Sequence, residues 1–335
     1  MKLPGSVVLL LAAATSLPAA KNLEVYFIDV EGGQATLFAP PGGDSLLIDT
    51  GWGGFNRRDA ERIAAAAKSA GVKRIDYLLI THFHTDHAGG VAQLTEKLPI
   101  RNFVDHGTSV ETDKAAEVLF NTYKAYRAKG NHIQVKPGDK VPVKGLDVTV
   151  VSAGGEGLAN ALPGAGQPNP ECAGFKKMDL DKTENAQSVG VIVQFGDFRL
   201  ADLGDLTWNK EYDLVCPANK LGKVDAFVAS HHGTNSSDSP QLVRALSPRA
   251  AIEENGAKKG GSVEVWKTLK ETPGLQDTWQ LHFAVDGGKE NNAADPFIAN
   301  IDERCEGKWL KMTAQRDGTF TMENSRNKYQ KTYTK

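Results

Sequence analysis

The sequence predicts an α/β fold of stacked layers, because strand-like apolar runs alternate with helix-like stretches along most of the chain. Two apolar runs, residues 74–81 and 224–230, each lead directly into a group of histidines. Residues 56–71 and 116–130 have helical spacing and end in glycine, a common helix stop. The other predicted strands are residues 23–30, 35–40, 45–51, 146–152, 188–195 and 197–203. With 40% apolar and 24% charged residues, the composition excludes disordered and fibrous classes.

The chain divides into a predicted leader and one predicted domain. Residues 1–20 hold one lysine, then an apolar stretch, then small residues, which is the order of a secretory signal peptide. The apolar stretch is too short for a membrane anchor, so we expect a periplasmic or secreted protein with no transmembrane anchor after signal removal. We expect residues 21–245 to form the core of this domain and residues 246–335 to complete or extend the same domain. The alternative, in which residues 1–20 belong to the fold, stays open.

Residues 153–187 are rich in glycine, proline, asparagine and lysine, and this composition predicts a long surface loop. The three cysteines, Cys172, Cys216 and Cys305, include no C-x-x-C pair, so a cysteine zinc site is not indicated. One disulfide and one free thiol would fit an exported protein, and the sequence leaves the pairing open.

The charge balance narrows the expected partners. The chain has 39 basic and 41 acidic residues, for a formal net charge of −2. A dedicated nucleic-acid scaffold is usually basic, so no stable nucleic-acid complex is expected. A net charge near zero still allows an enzyme that binds a phosphodiester at one metal site. The expected partner is therefore a small-molecule or phosphodiester substrate.

The stretch LLITHFHTDHAGG, residues 78–90, gathers metal-ligand side chains directly after a predicted strand. His82 and His84 alternate, so both can face one side of an extended segment and bind one ion. Asp86 and His87 follow at once and can turn to a second ion. Two metals about 3.5–4 Å apart can hold and activate a hydroxide between them. The spacing differs from the H-E-x-x-H helix pattern, which binds one zinc.

Two later strand ends offer further ligands. Asp205 follows a predicted strand and a glycine in FRLADLGDLTW, where its carboxylate could bridge two ions. His231 and His232 end the apolar run at 224–230. A lone strand-end aspartate usually caps a turn, and a lone histidine is more often a surface or core residue. Three such groups in one chain, each at the end of a strand, together favour a binuclear metal site.

These motifs resemble the metallo-β-lactamase superfamily, and in particular its ComEC-like branch of hydrolases. The segments that carry the likeness are FIDVEGGQA, LLIDTG, DYLLITHFHTDHAGG, SVGVIVQFGDFRLADLGD and VASHHGTNSS. The resemblance covers about residues 27–240, and a later segment looks like an extension typical of exported members. It implies a four-layer αβ/βα metallo-β-lactamase sandwich with two zinc ions at the edge of its paired sheets.

The resemblance also implies a ligand set. It places His82 and His84 on the first metal, Asp86 and His87 on the second, and Asp205 as the bridge between them. One histidine of the H-H-G pair would complete the second metal, and His232 is favoured. His231 would then face the substrate as a hydrogen-bond donor or proton carrier, although the assignment within this pair stays open. Two Zn²⁺ ions per chain are expected, with Mn²⁺ and Fe²⁺ as alternatives.

The chain departs from the family pattern at one position. Many members supply a further first-metal histidine before the bridging aspartate, whereas this sequence has no histidine between His132 and His231. Asn185, in TENAQSV, or a water molecule would fill that position. Occupancy by a single zinc ion is therefore an alternative.

Other residues are weaker candidates for contacts with the ligands or the substrate. Asp49, in LLIDTG, is expected either to hydrogen-bond a ligand histidine and fix its tautomer or to cap a turn. His106 follows a short apolar run, and His282 lies in the C-terminal segment; either one could reach the site. Lys258 and Lys259 are interpreted as part of a solvated loop rather than as phosphate contacts.

The predicted function is a zinc-dependent hydrolase that uses a metal-bound hydroxide, with phosphodiesters as the favoured substrates. Metal-bound water has a pKa of about 7 and supplies hydroxide at neutral pH. Asp86 or His231 would pass a proton to the leaving group. The alternative is a β-lactamase or lactonase that hydrolyses cyclic amides or esters. A metal-binding module without turnover is a third hypothesis.

Overall fold

The computed structural model describes residues 22–335, and the predicted signal peptide, residues 1–20, lies outside the described residues. The strands are β1 Leu23–Phe27, β2 Thr36–Ala39, β3 Leu46–Ile48, β4 Ile75–Leu79, β5 Ile100–Asp105, β6 Asn131–Gln134, β7 Lys140–Val141, β8 Asp147–Ala153, β9 Glu156–Gly157, β10 Gln167–Pro168, β11 Gly190–Phe195, β12 Phe198–Asp202, β13 Ala218–Asn219, β14 Ala226–Val228, β15 Ala250–Glu253, β16 Asp277–His282, β17 Ile298–Asn300, β18 Leu310–Ala314, β19 Phe320–Asn324 and β20 Gln330–Tyr333. The α-helices are α1 Arg58–Ser69, α2 Thr85–Ala88, α3 Val91–Thr95, α4 Lys114–Arg127, α5 Trp208–Val215, α6 Pro240–Leu246 and α7 Val263–Lys270.

Most strands belong to two nine-stranded sheets. The first has the order β20-β19-β18-β1-β2-β3-β4-β5-β6. The second has the order β17-β16-β15-β14-β12-β11-β8-β7, with β9 paired to β8. Neighbours from β12 through β14, β15 and β16 to β17 run parallel. Their carboxyl ends therefore lie along one edge, where α/β folds usually bind ligands.

Three hydrophobic clusters separate four layers. One lies between the two sheets and includes Phe27, Val193 and Trp279. A second packs α1, α3 and α4 against the outer face of the first sheet. A third packs α5, α6 and α7 against the outer face of the second sheet. The order of layers is helix, sheet, sheet, helix, so the predicted four-layer αβ/βα sandwich is confirmed.

The segment that begins with β1 shows how the sequence pattern produces this layering. Val25 and Phe27 enter the cluster between the sheets, whereas Tyr26 and Ile28 enter the cluster under the helices. All four side chains are buried, because both faces of the sheet are covered. A strand covered on both faces gives a nearly continuous apolar run instead of strict alternation.

The predicted helices at 56–71 and 116–130 correspond to α1 and α4. Residues 153–187, predicted as one long loop, instead contain β9, β10 and two short 3-10 turns. The open question of cysteine pairing is resolved by a disulfide between Cys172 and Cys216, which leaves Cys305 free. The disulfide ties this segment to the residue that follows α5.

The C-terminal residues contribute strands to both sheets. Residues 250–300 supply β15, β16 and β17 to the second sheet, and residues 310–333 supply β18, β19 and β20 to the first. β18 pairs antiparallel with β1 over that strand's full length. None of the helices within residues 22–335 combines the length and apolar character that crossing a membrane requires.

Candidate metal centre

Three strand ends converge at one edge of the sandwich. β4 of the first sheet leads through a short loop into α2, and β12 and β14 of the second sheet lead into the turns that follow them. The side chains that come together there, called the His/Asp centre below, are His82, His84, Asp86, His87, Asp205, His231 and His232. The structure thus brings together every residue that the resemblance implied as a ligand.

One half of the centre consists of Asp86, His87, Asp205 and His232, all buried, whose ligand atoms lie within 4.8 Å of one another. His87 Nε2 is 3.2 Å from Asp205 Oδ1 and 3.4 Å from Asp86 Oδ2. His232 Nε2 is 3.2 Å from Asp86 Oδ2 and 3.6 Å from Asp205 Oδ1. Imidazole nitrogens and carboxylate oxygens in one buried group form a donor set suited to zinc.

The other half surrounds the second carboxylate oxygen of Asp205. His82 Nε2 lies 3.8 Å from Asp205 Oδ2 and 3.0 Å from His84 Nδ1. His231 Nε2 lies 3.4 Å from the same Asp205 oxygen. The two oxygens of Asp205 therefore face two different groups of histidines. A carboxylate that bridges two ions needs this arrangement.

His231 and His232 reach opposite halves because the backbone after β14 takes an unusual turn. Both residues have left-handed backbone angles, with φ of 51° and 58°. Such angles are uncommon for residues that carry a side chain, and they concentrate at functional sites. The main-chain N–H of His231 donates to the carbonyl of Gly204 at 3.0 Å, which ties the turn to the loop that carries Asp205.

Hydrogen bonds from behind orient the buried histidine rings. His87 Nδ1 donates to Asp49 Oδ2 at 2.7 Å, and Thr81 Oγ1 donates to the same oxygen at 2.7 Å. The Asp49 carboxylate therefore keeps the proton on Nδ1 of His87 and turns Nε2 toward the centre. Of the two roles considered for Asp49, the structure places it in hydrogen-bond contact with a ligand-type histidine.

Two further contacts orient the rings of His232 and His84. His232 Nδ1 donates to the main-chain carbonyl of Glu254 at 3.2 Å. His84 Nε2 donates to Glu111 Oε1 at 2.9 Å, so that Nδ1 of His84 faces His82. Each ring thus has one nitrogen engaged outside the centre and the other nitrogen pointing into it, as ligand histidines usually do.

Two buried polar atoms at the middle of the centre indicate that a cation fits there. Within residues 22–335, His87 Nε2 and Asp205 Oδ1 have no hydrogen-bond partner, although both are buried. They face each other at 3.2 Å. Buried polar groups are normally paired, because an unpaired one costs about 1–3 kcal/mol. A metal ion that displaced the proton of His87 would satisfy both the ring nitrogen and the carboxylate oxygen.

The charges of the carboxylates also suit cation binding. Burial raises the pKa of a carboxyl group, but His87 and His232 hold the pKa of Asp86 far below its usual range. Burial acts in the same way on Asp205, where His87, His232 and His231 lower the pKa strongly. Both groups are therefore ionised at neutral pH, which is the form that binds metals.

The pKa values of three histidines are shifted in different directions. Burial and the neighbouring His87 keep the pKa of His82 well below its usual value, and burial lowers the pKa of His231. Burial opposes protonation of His87 as well, but Asp205 and Asp86 raise its pKa well above the usual value. His82 and His231 are thus ready to bind a cation, whereas a cation at His87 would displace a proton.

The interpretation that Lys259 belongs to a solvated loop is wrong. Its ammonium group contacts the Asp86 carboxylate and donates to the Gly32 carbonyl at 2.7 Å. The same nitrogen lies 5.0 Å from the ring centroid of Trp52. For Lys258 the interpretation agrees with the structure, since its exposed side chain pairs with Glu303. One lysine of the pair therefore belongs to the border of the centre.

Asn185 lies beside the centre. Its Nδ2 is 3.5 Å from His231 Nε2, and its Oδ1 is buried without a hydrogen-bond partner in the described part of the chain. Ser236 Oγ lies 2.9 Å from the other ring nitrogen of His231. The position where a first-metal histidine was missing is thus bordered by Asn185 and His231 together.

His106 and His282 lie elsewhere. His106 Nε2 contacts Glu184 Oε2 at 3.0 Å, and that oxygen also accepts from the main-chain N–H of Phe83. His106 therefore supports the loop between His82 and His84 from behind. His282 Nε2 contacts Asp29 Oδ1 at 2.7 Å and belongs to a different cluster.

Sequence reasoning missed Glu111 and Thr81, and it assigned Lys259 to a solvated loop. Glu111 follows β5 in a segment without a motif, and Lys259 follows β15, so only the fold brings them to the centre. Thr81 had a usable signal, because it stands directly before His82 at the end of a strand.

A buried group of histidines and aspartates at the strand ends of a four-layer αβ/βα sandwich defines a metal-dependent hydrolase fold. Residues 28–167 match the sequence model of the metallo-beta-lactamase superfamily, a match that covers less than half of the chain. This region of the chain is therefore similar in sequence to that superfamily.

One curated relative and several solved structures are similar to this chain. The relative, ComE operon protein 3 of Bacillus subtilis (strain 168), is 26% identical over 187 residues, which are 56% of this chain and 20% of the relative. The chain thus spans about a fifth of that protein's length.

The solved structures overlap with this chain only in part. CmlA, a diiron beta-hydroxylase from Streptomyces venezuelae, aligns with a TM-score of 0.41 and 15% identity over 72% of this chain and 47% of its own. The subclass B3 metallo-beta-lactamase MEM-A1, from a soil metagenome library, aligns with a TM-score of 0.39 and 16% identity over 75% of this chain and 83% of its own. A diphosphatase of the PhnP family aligns with a TM-score of 0.39 and 15% identity over 74% of this chain and 83% of its own. Their described activities differ, so they do not select a substrate.

Proposed function

We propose that this protein is a metal-dependent phosphodiester hydrolase with two divalent ions, zinc being favoured. The observation that carries the substrate class is Lys259, whose partly exposed ammonium group borders the centre at Asp86. With two divalent cations present, the carboxylates of Asp86 and Asp205 would leave the centre positively charged. A positively charged centre with an added ammonium group suits an anionic substrate better than a neutral one.

The two halves of the centre suggest how the ions would be held. Asp86, His87, His232 and Asp205 Oδ1 would hold one ion, and His82, His84, His231 and Asp205 Oδ2 would hold the other. In this proposal His231 replaces the histidine that is missing before the bridging aspartate. It is therefore a ligand rather than a substrate-facing proton carrier. His232 keeps its expected role at the second metal.

The chemistry divides between the ions and the side chains. When bound, two divalent ions lower the pKa of a coordinated water and offset negative charge on a phosphoryl oxygen. Asp49 and Thr81 keep the rings of His87 and His82 in register through their hydrogen bonds. Lys259 would orient a phosphodiester by donating to a non-bridging oxygen, and Asn185 can donate from the opposite side near His231.

Asp86 is better suited to binding than to proton transfer. Its pKa is held far below neutrality by His87 and His232, despite burial. A general acid or base works best when its pKa lies near the working pH. In this proposal Asp86 therefore binds an ion, and Lys259 beside it binds the substrate.

The test uses protein stripped of metal and then reloaded with zinc, with bis(p-nitrophenyl) phosphate as the substrate. We expect turnover to be lost on stripping and to return with zinc. Absence of turnover in protein that holds two zinc ions would overturn the phosphodiester proposal. In that case a lactam and a lactone, assayed on the same sample, would test the β-lactamase or lactonase alternative.

We also propose that the protein is exported and that residues 246–335 complete one domain with residues 21–245. The Cys172–Cys216 disulfide supports export, since structural disulfides persist mainly in oxidising compartments. Strands from the C-terminal residues in both sheets support a single domain. N-terminal sequencing of protein recovered from a periplasmic or culture fraction tests export, and a chain that still begins at Met1 would contradict it.

A further inference from the structure

A second group of ligand-type side chains lies outside the His/Asp centre. It consists of Asp29, Glu31, His282 and Cys305, whose ligand atoms all lie within 4.8 Å of one another, and it is called the Cys305 cluster below. Asp29 and Glu31 follow β1, His282 ends β16, and Cys305 lies between β17 and β18. Three distant parts of the chain therefore meet at this point.

The contacts in the cluster are short and converge on the sulfur. Cys305 Sγ lies 2.8 Å from Glu31 Oε1 and 3.0 Å from Asp29 Oδ2. His282 Nε2 lies 2.7 Å from the other oxygen of Asp29. A thiol has a single proton and is a weak donor, so it cannot satisfy two carboxylates at once. A thiolate that shares a cation with them can.

The charge balance of the cluster points the same way. Arg62 donates to Asp29 Oδ2 at 3.0 Å and to Glu31 Oε1 at 3.3 Å, and it also donates to the Asp29 main-chain carbonyl. As a metal ligand Cys305 would be a thiolate, and one guanidinium group does not neutralise that thiolate together with two carboxylates. A divalent cation would bring the total charge of these groups to zero.

We propose that the Cys305 cluster binds a third divalent ion of the zinc type, through Asp29, Glu31, His282 and Cys305. Zinc accepts thiolate, imidazole and carboxylate ligands in four-coordinate sites, whereas magnesium and calcium prefer oxygen ligands alone. Glu31 and Cys305 are only partly buried, so an ion can reach the cluster from solvent. Asp29 and His282 form its buried side.

The position of the cluster gives this ion a structural role. Glu31 has a left-handed backbone, with φ of 59°, and leads into Gly32, whose carbonyl accepts from Lys259. A Cβ atom added to Gly33 would lie 2.4 Å from the main-chain oxygen of Asp86. An ion that holds Glu31 would therefore fix the turn that packs directly against Asp86.

Cobalt(II) provides the test, because a thiolate bound to cobalt gives a charge-transfer band in the near ultraviolet that imidazole and carboxylate ligands do not give. In the oxidised protein the other two cysteines form the disulfide, so only Cys305 can produce this band. We expect full-length protein, stripped of metal and loaded with excess cobalt without added thiol, to show the band. The metal content should approach three ions per chain.

The matched variant is Cys305→Ser, which should lose the charge-transfer band and one ion per chain while it keeps the visible cobalt bands of the His/Asp centre. Wild-type protein that shows those visible bands but no thiolate band would overturn the proposal. The cobalt spectrum of wild-type protein needs only folded wild type, so it still decides the question if the variant does not fold. The test does not involve turnover, so failure of the proposed hydrolase function would leave its result unchanged.

Discussion

The His/Asp centre and the Cys305 cluster are built from similar residue types, but their polar atoms are satisfied differently. In the His/Asp centre, His87 Nε2 and Asp205 Oδ1 face each other without a hydrogen-bond partner in the described chain. In the Cys305 cluster, Asp29, Glu31 and Cys305 all contact Arg62, a fixed cation supplied by α1. His282 Nδ1, in the same cluster, is buried without a partner in the described chain.

This difference separates two uses of buried charge. A centre with unsatisfied atoms, and with a lysine at its border, keeps room for ions and for a substrate. An ion held by all four side chains of the Cys305 cluster would have no open position for a substrate, which is typical of structural rather than catalytic zinc sites. The comparison therefore predicts that substitutions in the His/Asp centre change turnover strongly, and that substitutions in the Cys305 cluster act mainly on metal content and local order.

The largest effect is expected for Asp205→Asn. Asp205 contributes one oxygen to each half of the centre, so the variant should lose at least one ion and reduce kcat/KM by about 10³-fold or more, in line with the several kcal/mol that a catalytic metal supplies. Metal analysis and hydrolysis of bis(p-nitrophenyl) phosphate measure both quantities. Asp202→Asn, three residues earlier and bonded to Gln34, is the control and should retain its ions. Full metal content in Asp205→Asn would contradict the bridging role.

The next effect distinguishes the two roles considered for His231. If His231 is a ligand, His231→Ala should bind one ion fewer per chain than wild type, since its Nε2 faces Asp205 Oδ2. His132→Ala is a suitable control, because His132 pairs with Asp105 at a partly exposed position. Loss of turnover with both ions retained would instead identify His231 as a proton carrier.

A smaller effect is expected at Lys259. Lys259→Met should raise KM for an anionic phosphodiester about tenfold, equivalent to about 1.4 kcal/mol, and change kcat less. The adjacent Lys258→Met, whose side chain pairs with exposed Glu303, should behave like wild type. Steady-state kinetics with a charged and a neutral ester measure the difference. An equal loss on both substrates would show that Lys259 does not recognise charge.

The smallest effect is expected at a buried carboxyl group that has neither a metal ligand role nor an arginine partner, and it is an effect on stability. Burial raises the pKa of Glu253 from 4.5 to about 7, despite the hydrogen bond from Gln280. Because its folded pKa exceeds its unfolded pKa, the stability it contributes is complete below about pH 4.5 and is lost as the pH rises through 7. Glu253→Gln should therefore raise the free energy of unfolding at pH 8, by at most about 3 kcal/mol, and have little effect at pH 4.5.

Thermal unfolding of wild type and Glu253→Gln at both pH values measures this difference. Equal stabilisation at both values would show that the substitution acts through packing and not through the carboxyl charge.

The comparison also shows what the sequence could and could not predict. His82, His84, Asp86 and His87 lie within six residues, so their spacing alone indicates a metal site. Lys259 contacts Asp86 across 173 residues of chain. Asp86 follows β4 of the first sheet and Lys259 follows β15 of the second, so only the packing of the two sheets brings them together. No local pattern distinguishes Lys259 from the solvated Lys258 next to it.

The Cys305 cluster was not predicted for the same reason. His282 was a weak candidate for the centre, yet it pairs with Asp29, which comes more than 250 residues earlier. The cysteine pairing had the same difficulty, since three cysteines allow three pairs and only the fold selects Cys172 with Cys216. Periodicity and short motifs identify strands and ligands, whereas distant contacts depend on the order of strands in the sheets.

That order also bears on how the chain is made. β1, the first strand, is bordered by β2 on one side and by β18 on the other, so one edge of β1 stays open until residues 310–314 have left the ribosome. An open strand edge readily pairs with other chains. Synthesis of the residues between β1 and β18 must therefore pass with this edge exposed, and a chain cut before residue 310 would expose it permanently. β18 therefore covers an edge of β1 that would otherwise be open to pairing with another chain.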